Sequence, residues 1–192
     1  MSPAWPPQAE AAEQGLFGDV LVCDAVLPAS FLPGVVARTA QAGALLAGLA
    51  QVEDLRGGDE ASEEKRGELP LLAQRMDAKL DLVLVLLGRL VRQACPPLPP
   101  AAVRWSARGV RLQLPADAEL PAADSAGCLR LQPAEWLPDD LELPVIVSAT
   151  AHTGDAGWLW LRFPALPAGL EEAMDRHLFR MHRRQVADSR RR

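Results

Sequence analysis

Apolar positions recur with a helical period between Val35 and Ala94 and with a period of two on either side. Val20 to Leu27 (VLVCDAVL) predicts a strand, closed by Pro28 and by the Pro33-Gly34 turn signal. Val35 to Leu55 predicts a helix with Leu45, Leu49 and Val52 along one face, ending at Gly57-Gly58 before an acidic connector, DEASEEKRG. Leu69 to Ala94 predicts the longest helix, with Pro70 in its first turn and Pro96-Pro97 as its stop. Written as heptads, this helix places Ala73, Leu80, Leu87 and Ala94 at a, and Leu69, Met76, Val83 and Leu90 at d. Leu82, Leu84, Val85 and Leu86 add apolar surface outside the seam, so the helix must be covered on several sides. It is therefore read as an oligomerisation helix, against the alternative of a central core helix in a monomer.

After the PPLPP linker the pattern changes. Val103–Leu114, Cys128–Leu131, Leu143–His152 and Trp158–Phe163 predict strands separated by prolines and by the Gly154-Asp155 turn. Short strands at regular intervals imply a small antiparallel barrel. Leu170 to Val186 predicts a closing helix with acidic residues at its start and arginines at its end, matching the helix dipole. The expected fold is α+β: a barrel with a helical insertion at about 35–98 and a C-terminal helix. Residues 1–15 are expected to form a flexible arm, 16–187 one domain, and 188–192 a disordered basic tail.

Composition narrows the function. With 49% apolar residues the 192-residue chain can bury a sizeable core. A net charge of −5 argues against nucleic acid as a partner. The charge is segregated: nothing basic precedes Arg38, whereas seven arginines crowd into 176–192. The absence of an early basic residue disfavours a secretory signal. Within the long helix the uncharged run spans only Leu82–Gly88, far short of the ~20 residues a bilayer span needs. Cys23, Cys95 and Cys128 have neither disulfide nor zinc spacing. A cytoplasmic protein without membrane insertion is expected.

The search for catalytic chemistry finds no pattern. Ser106 has Arg104 where a nucleophile elbow needs glycine. His152, His177 and His182 are not spaced to share a helical face. Asp139-Asp140 and Glu171-Glu172 are adjacent carboxylates with diverging side chains, and no phosphate-loop or dinucleotide motif occurs. No enzyme activity, metal or cofactor is expected.

The stretch VRWSARGVRLQLP (103–115) places Ser106 and Gly109 in an S-x-x-G between two strands. It resembles the second signature of the PilZ family, Asp or Asn-x-Ser-x-x-Gly. GWLWLRFPAL (157–166), closing on Phe163, is similar to the family's penultimate strand, and EEAMDRHLFRMHRRQ (171–185) to its basic terminal helix. The resemblance is to the atypical, tetramer-forming branch, whose extra helices carry heptads. It implies a six-stranded barrel, cyclic di-GMP as ligand, a homo-oligomer of four chains, a signalling protein partner, and a part in motility, biofilm or virulence control. Residue by residue, it carries over Ser106 and Gly109 alone. The residues themselves offer Arg104, Arg108 and Arg162 as candidate ligands for an anion, with Arg111 and Arg130 as further members of the set, against the reading that they are solvated arginines on strands. Two positions depart from the pattern. The first signature, Arg-x-x-x-Arg, is absent, and Arg104 stands where an acceptor side chain is usual. Two readings stay open: a sensor binding cyclic di-GMP through a rearranged arginine set, and a scaffold that has lost the nucleotide and acts through protein contacts.

Overall fold

A computed structural model of the chain describes residues 5–58, 97–134, 137 and 139–191, together with Met76, Lys79, Leu80, Val83 and Leu86; for 53–58 and 191 only the backbone is described. In chain order the described elements are α1 (Pro7–Phe17), β1 (Val22–Pro33), α2 (Thr39–Gly58), β2 (Pro100–Ser106), β3 (Gly109–Pro115), β4 (Ala126–Leu131), β5 (Leu141–Thr153), β6 (Ala156–Arg162) and α3 (Ala168–Arg191). The five isolated positions between 76 and 86 are helical as well.

The strands close into an antiparallel barrel in the order β1-β2-β3-β6-β5-β4. Closure depends on two long strands that each serve two neighbours. The first half of β1 pairs with β2 (Val22↔Ser106 to Pro28↔Pro100) and its second half with β4 (Ala29↔Leu131 to Pro33↔Gly127). Likewise β5 pairs first with β4 and then with β6, passing a bulge between Val147 and Ala149 that helps bend it. Pro28 was expected to end the first strand, yet β1 continues to Pro33. The proline falls where the strand changes partners, a place that tolerates a missing N–H. The β5–β6 turn holds Gly154 at φ 61, the left-handed conformation glycine adopts without a Cβ penalty.

Inside the barrel, alternate residues meet as the period of two requires: Val103 and Trp105, Val110 and Leu112, Leu129 and Leu131, Leu141 to Val147, Leu159 and Leu161. Ala42 and Leu46 of α2, with Leu170, Met174 and Leu178 of α3, cap this core. The α3 residues are four apart and form one stripe. The buried face of α2 runs through Ala42, Leu46 and Leu49, one residue out of step with the Leu45 of the expected face. That helix also starts later than expected, at Thr39, leaving Val35 and Val36 exposed.

Two end segments differ from expectation. The stretch taken for a flexible arm is helical from Pro7, with Ala9, Leu16 and Phe17 buried. Its helix is made by docking, because apolar side chains find a second cluster with Ala149, Ala151 and Trp160 on the barrel's outside. The tail taken as disordered continues α3 through Arg191. Among the described residues no helix is long and apolar enough to cross a membrane.

Candidate functional site

In the strand alternation, Arg104 and Ser106 of β2, Gly109 and Arg111 of β3, and Trp158, Trp160 and Arg162 of β6 point away from the core. Register brings them together: Arg104 lies opposite Arg111, Arg111 opposite Trp160, and Gly109 opposite Arg162. Three of the nominated arginines, Arg104, Arg111 and Arg162, thus share one outward face, and a fourth, Arg108, lies within the S-x-x-G turn at its edge. Arg130 does not join them. It sits on β4, across the barrel from β3, where Asp140 accepts from its guanidinium.

This face is covered by α1. The Glu13 carboxylate lies at its centre, accepting from Arg111 Nη1 at 2.7 Å and from Trp160 Nε1 at 2.8 Å. Arg104 Nε is 3.6 Å from the same carboxylate and 3.9 Å from Asp24, beyond hydrogen-bond reach of both. The Arg111 guanidinium lies 5.1 Å from the Trp158 ring and 5.8 Å from Trp5, and Arg104 lies 5.5 Å from Phe17. Trp5 stands edge-on to both Trp158 and Trp160, at 5.1 and 5.0 Å between centroids. Beside the helix an open depression remains, with Arg104, Arg111 and Trp158 on one wall and Asp24 and Val26 on the other.

The two motif residues sit under the C-terminal end of α1. Ser106 is fully buried; its hydroxyl donates to the Leu16 carbonyl at 2.8 Å and accepts from the Arg108 N–H at 3.1 Å. Arg108 Nη1 donates to the Gly15 carbonyl at 3.1 Å. A helix ends with unpaired carbonyls, and Ser106 and Arg108 supply donors for two of them. Gly109 allows β6 to approach: a Cβ there would stand 2.1 Å from the Leu161 carbonyl oxygen and 3.0 Å from Leu16. Arg162, next to it on β6, is exposed. This face can hold a carboxylate among guanidinium and indole groups. Among the described residues no group of three metal-ligating side chains occurs.

The long helix contributes a second surface. Met76, Leu80 and Val83, three seam positions, are 58%, 58% and 49% exposed, and Leu86 is 52% exposed. Their spacing puts all four on one side of a helix. Leu69, Ala73, Leu87, Leu90 and Ala94 lie outside the described residues.

Comparison with known proteins adds the family. The family model described as an atypical PilZ domain, cyclic di-GMP receptor, matches residues 46–191. The chain belongs to the atypical PilZ family. A solved relative, a pathogenic protein from Xanthomonas campestris, is described as a new tetrameric PilZ domain self-assembled via an unusual helical bundle. It is 49% identical, covers 95% of this chain and 99% of its own, and superposes with a TM-score of 0.80. No curated protein matches the sequence.

Of the residues singled out in the sequence, Arg104, Ser106, Arg108, Gly109, Arg111 and Arg162 lie together and Arg130 does not; α1, Glu13 and the tryptophans Trp5, Trp158 and Trp160 were missed. A signal was present. Pro6-Pro7 followed by an Ala- and Glu-rich run and then Gly18 is a helix start and stop. Its 11 residues are too few for a periodic pattern to stand out.

Proposed function

We propose that this PilZ chain is a non-enzymatic regulator in cyclic di-GMP signalling, acting in the cytoplasm as an oligomeric scaffold through protein contacts. The observation that carries the scaffold reading is Glu13. The carboxylate of the chain's own α1 takes the place between Arg104 and Arg111 that a phosphate would need, while Ser106 and Gly109 serve the seat of that helix. The missing Arg-x-x-x-Arg points the same way, since guanidinium forks are what usually grip phosphates. Assembly is supported by the exposed Met76, Leu80, Val83 and Leu86 stripe, by the apolar heptads around it, and by the tetrameric relative.

A calorimetric titration of the full chain with cyclic di-GMP at moderate salt tests the first part. No heat and no thermal shift are expected. Binding at micromolar or tighter overturns the scaffold reading in favour of a sensor using Arg104, Arg108 and Arg162. Light scattering tests the second part: a mass near four times the 20.7 kDa chain is expected, and a monomer at micromolar concentration refutes it. Leu80→Asp should dissociate the assembly, since one charge per chain would enter an apolar seam.

A further inference from the structure

We propose that the outward β2–β3–β6 face is a helix-recognition surface for a partner protein, and that α1 is the chain's own occupant of it. The partner segment it fits is an acidic helix with an aromatic residue just ahead of its N-cap and a carboxylate eight positions after that residue, as Trp5 and Glu13 stand to α1. This inference rests on the scaffold reading above and names the partner class for that site.

The surface is described by what it already holds. Trp158 and Trp160 receive the ring of Trp5, and Arg111, Arg104 and the Trp160 N–H receive the carboxylate of Glu13. Ser106 and Arg108 bind the main-chain carbonyls of Leu16 and Gly15. Carbonyls at a helix C-terminus are common to all helices, so this half of the seat does not depend on the sequence of the occupant. Specificity comes from the aromatic ring and the acid.

Several features make α1 exchangeable. The interior core closes without it, because the residues beneath α1 form a separate cluster on the barrel's outer side. At 11 residues, α1 is shorter than the ~12–15 an isolated helix needs. Its N-cap Pro6 makes no side-chain capping bond, and its last turn has no basic residue. Its ionic anchors are partly exposed, with side-chain exposures of 23% for Glu13, 33% for Arg104 and 16% for Arg111. Such pairs are readily traded for an equivalent carboxylate.

The face does not stand empty in exchange for nothing. Trp160, Ala149 and Ala151 are buried, so losing α1 would expose a continuous apolar patch. Replacement by a like helix avoids that exposure. Charge gives the replacement its advantage: α1 has no carboxylate in its last turn, Gln14–Phe17, its nearest acid beyond Glu13 being Asp19 past the Gly18 cap, and Arg108 and Arg162 lie exposed near that end. A partner helix with a carboxylate inside its last turn would gain those two arginines as well.

The test uses the full chain and a fluorescein-labelled peptide of residues 5–18, read by anisotropy. In the unaltered protein the peptide competes with a tethered α1 whose effective concentration is on the order of millimolar. A Trp5→Ala, Glu13→Ala double variant weakens that competitor. The peptide should bind the variant at least about tenfold tighter than the unaltered chain, and Arg111→Glu in the same background should abolish binding. No peptide binding to a variant whose circular dichroism and mass match the parent overturns the proposal. Hydrogen exchange on the unaltered chain decides the matter if the variant fails to fold. Amides of Ala9–Leu16 should exchange at least about a hundredfold faster than those of β6. Equal protection overturns the proposal, because α1 would then open only with the barrel. Displacement of α1 by inorganic pyrophosphate, with no effect of the peptide, also overturns it and assigns the face to a small anion. Cyclic di-GMP binding to the unaltered chain would instead defeat the scaffold reading, independently of the peptide result.

Discussion

Gly109→Ala separates a glycine kept for a ligand from one kept for packing. Gly109 does not adopt a positive φ, so alanine carries no backbone penalty there. Its cost is steric. The new Cβ would stand 2.1 Å from the Leu161 carbonyl oxygen and 3.1 Å from the Arg162 Cα, both main-chain atoms that cannot rotate aside. Restoring ordinary contact requires β3 and β6 to part by roughly 1 Å where Gly109 faces Arg162, on top of pressing on Leu16 of α1. Overpacking of this kind costs about 1–3 kcal/mol. Stretching one or two ladder bonds adds about 1 kcal/mol each. The expected loss is therefore about 2–5 kcal/mol, a large share of the ~5–15 kcal/mol typical of a domain. Urea unfolding followed by far-ultraviolet circular dichroism measures it, with parent and variant at one protein concentration because assembly contributes to stability. A loss below about 0.5 kcal/mol would refute the packing argument and return Gly109 to the ligand reading.

Three further outcomes follow from the same structure. Ser106→Ala leaves the Leu16 carbonyl and the Arg108 N–H without their buried partner; it should cost about 1–3 kcal/mol and loosen α1, seen as a red shift of tryptophan emission. An unshifted spectrum and unchanged stability would contradict it. His177 is buried against Trp105 with neither ring nitrogen hydrogen-bonded, and burial, then Arg180 and Arg184, push its pKa down from 6.5 to about 4. Below pH 6.5 the unfolded chain takes up a proton that the folded chain refuses, so stability falls as pH drops towards 4, by about 2 kcal/mol between pH 7 and pH 5. His177→Leu should remove that part of the pH dependence, and an unchanged slope in urea melts at the two pH values would count against it. Burial raises both thiol pKa values, that of Cys128 to about 11, so Cys23 and Cys128 should resist alkylation at pH 8 until urea is added, as mass spectrometry of the labelled peptides would report.

The sequence by itself determined the barrel and its terminal helix. The period of two marked the strand-forming stretches, with Gly154 and the prolines punctuating them, although Val103–Leu114 was given as one run that the structure divides into β2 and β3. The apolar Leu170, Met174 and Leu178, four apart, and the charge order of α3 made that helix equally legible. The S-x-x-G turn was legible through its resemblance to the PilZ signature, and Arg104, Arg108 and Arg111 lie close to it in sequence within the same hairpin. Tertiary structure decided what those residues do. Pairing of β3 with β6 set Arg162 beside Gly109 and Trp160 beside Arg111, a juxtaposition that no local pattern encodes. Docking then made a helix of a segment too short to hold one alone, and placed Glu13 over two arginines roughly 90 and 100 residues further along the chain. Strand partner exchange likewise carried β1 through Pro28, where local propensity predicts a stop. Local period and turn chemistry act over a few residues and are written in the sequence. Which apolar face covers which charged one is settled only when distant segments compete to bury the same surface.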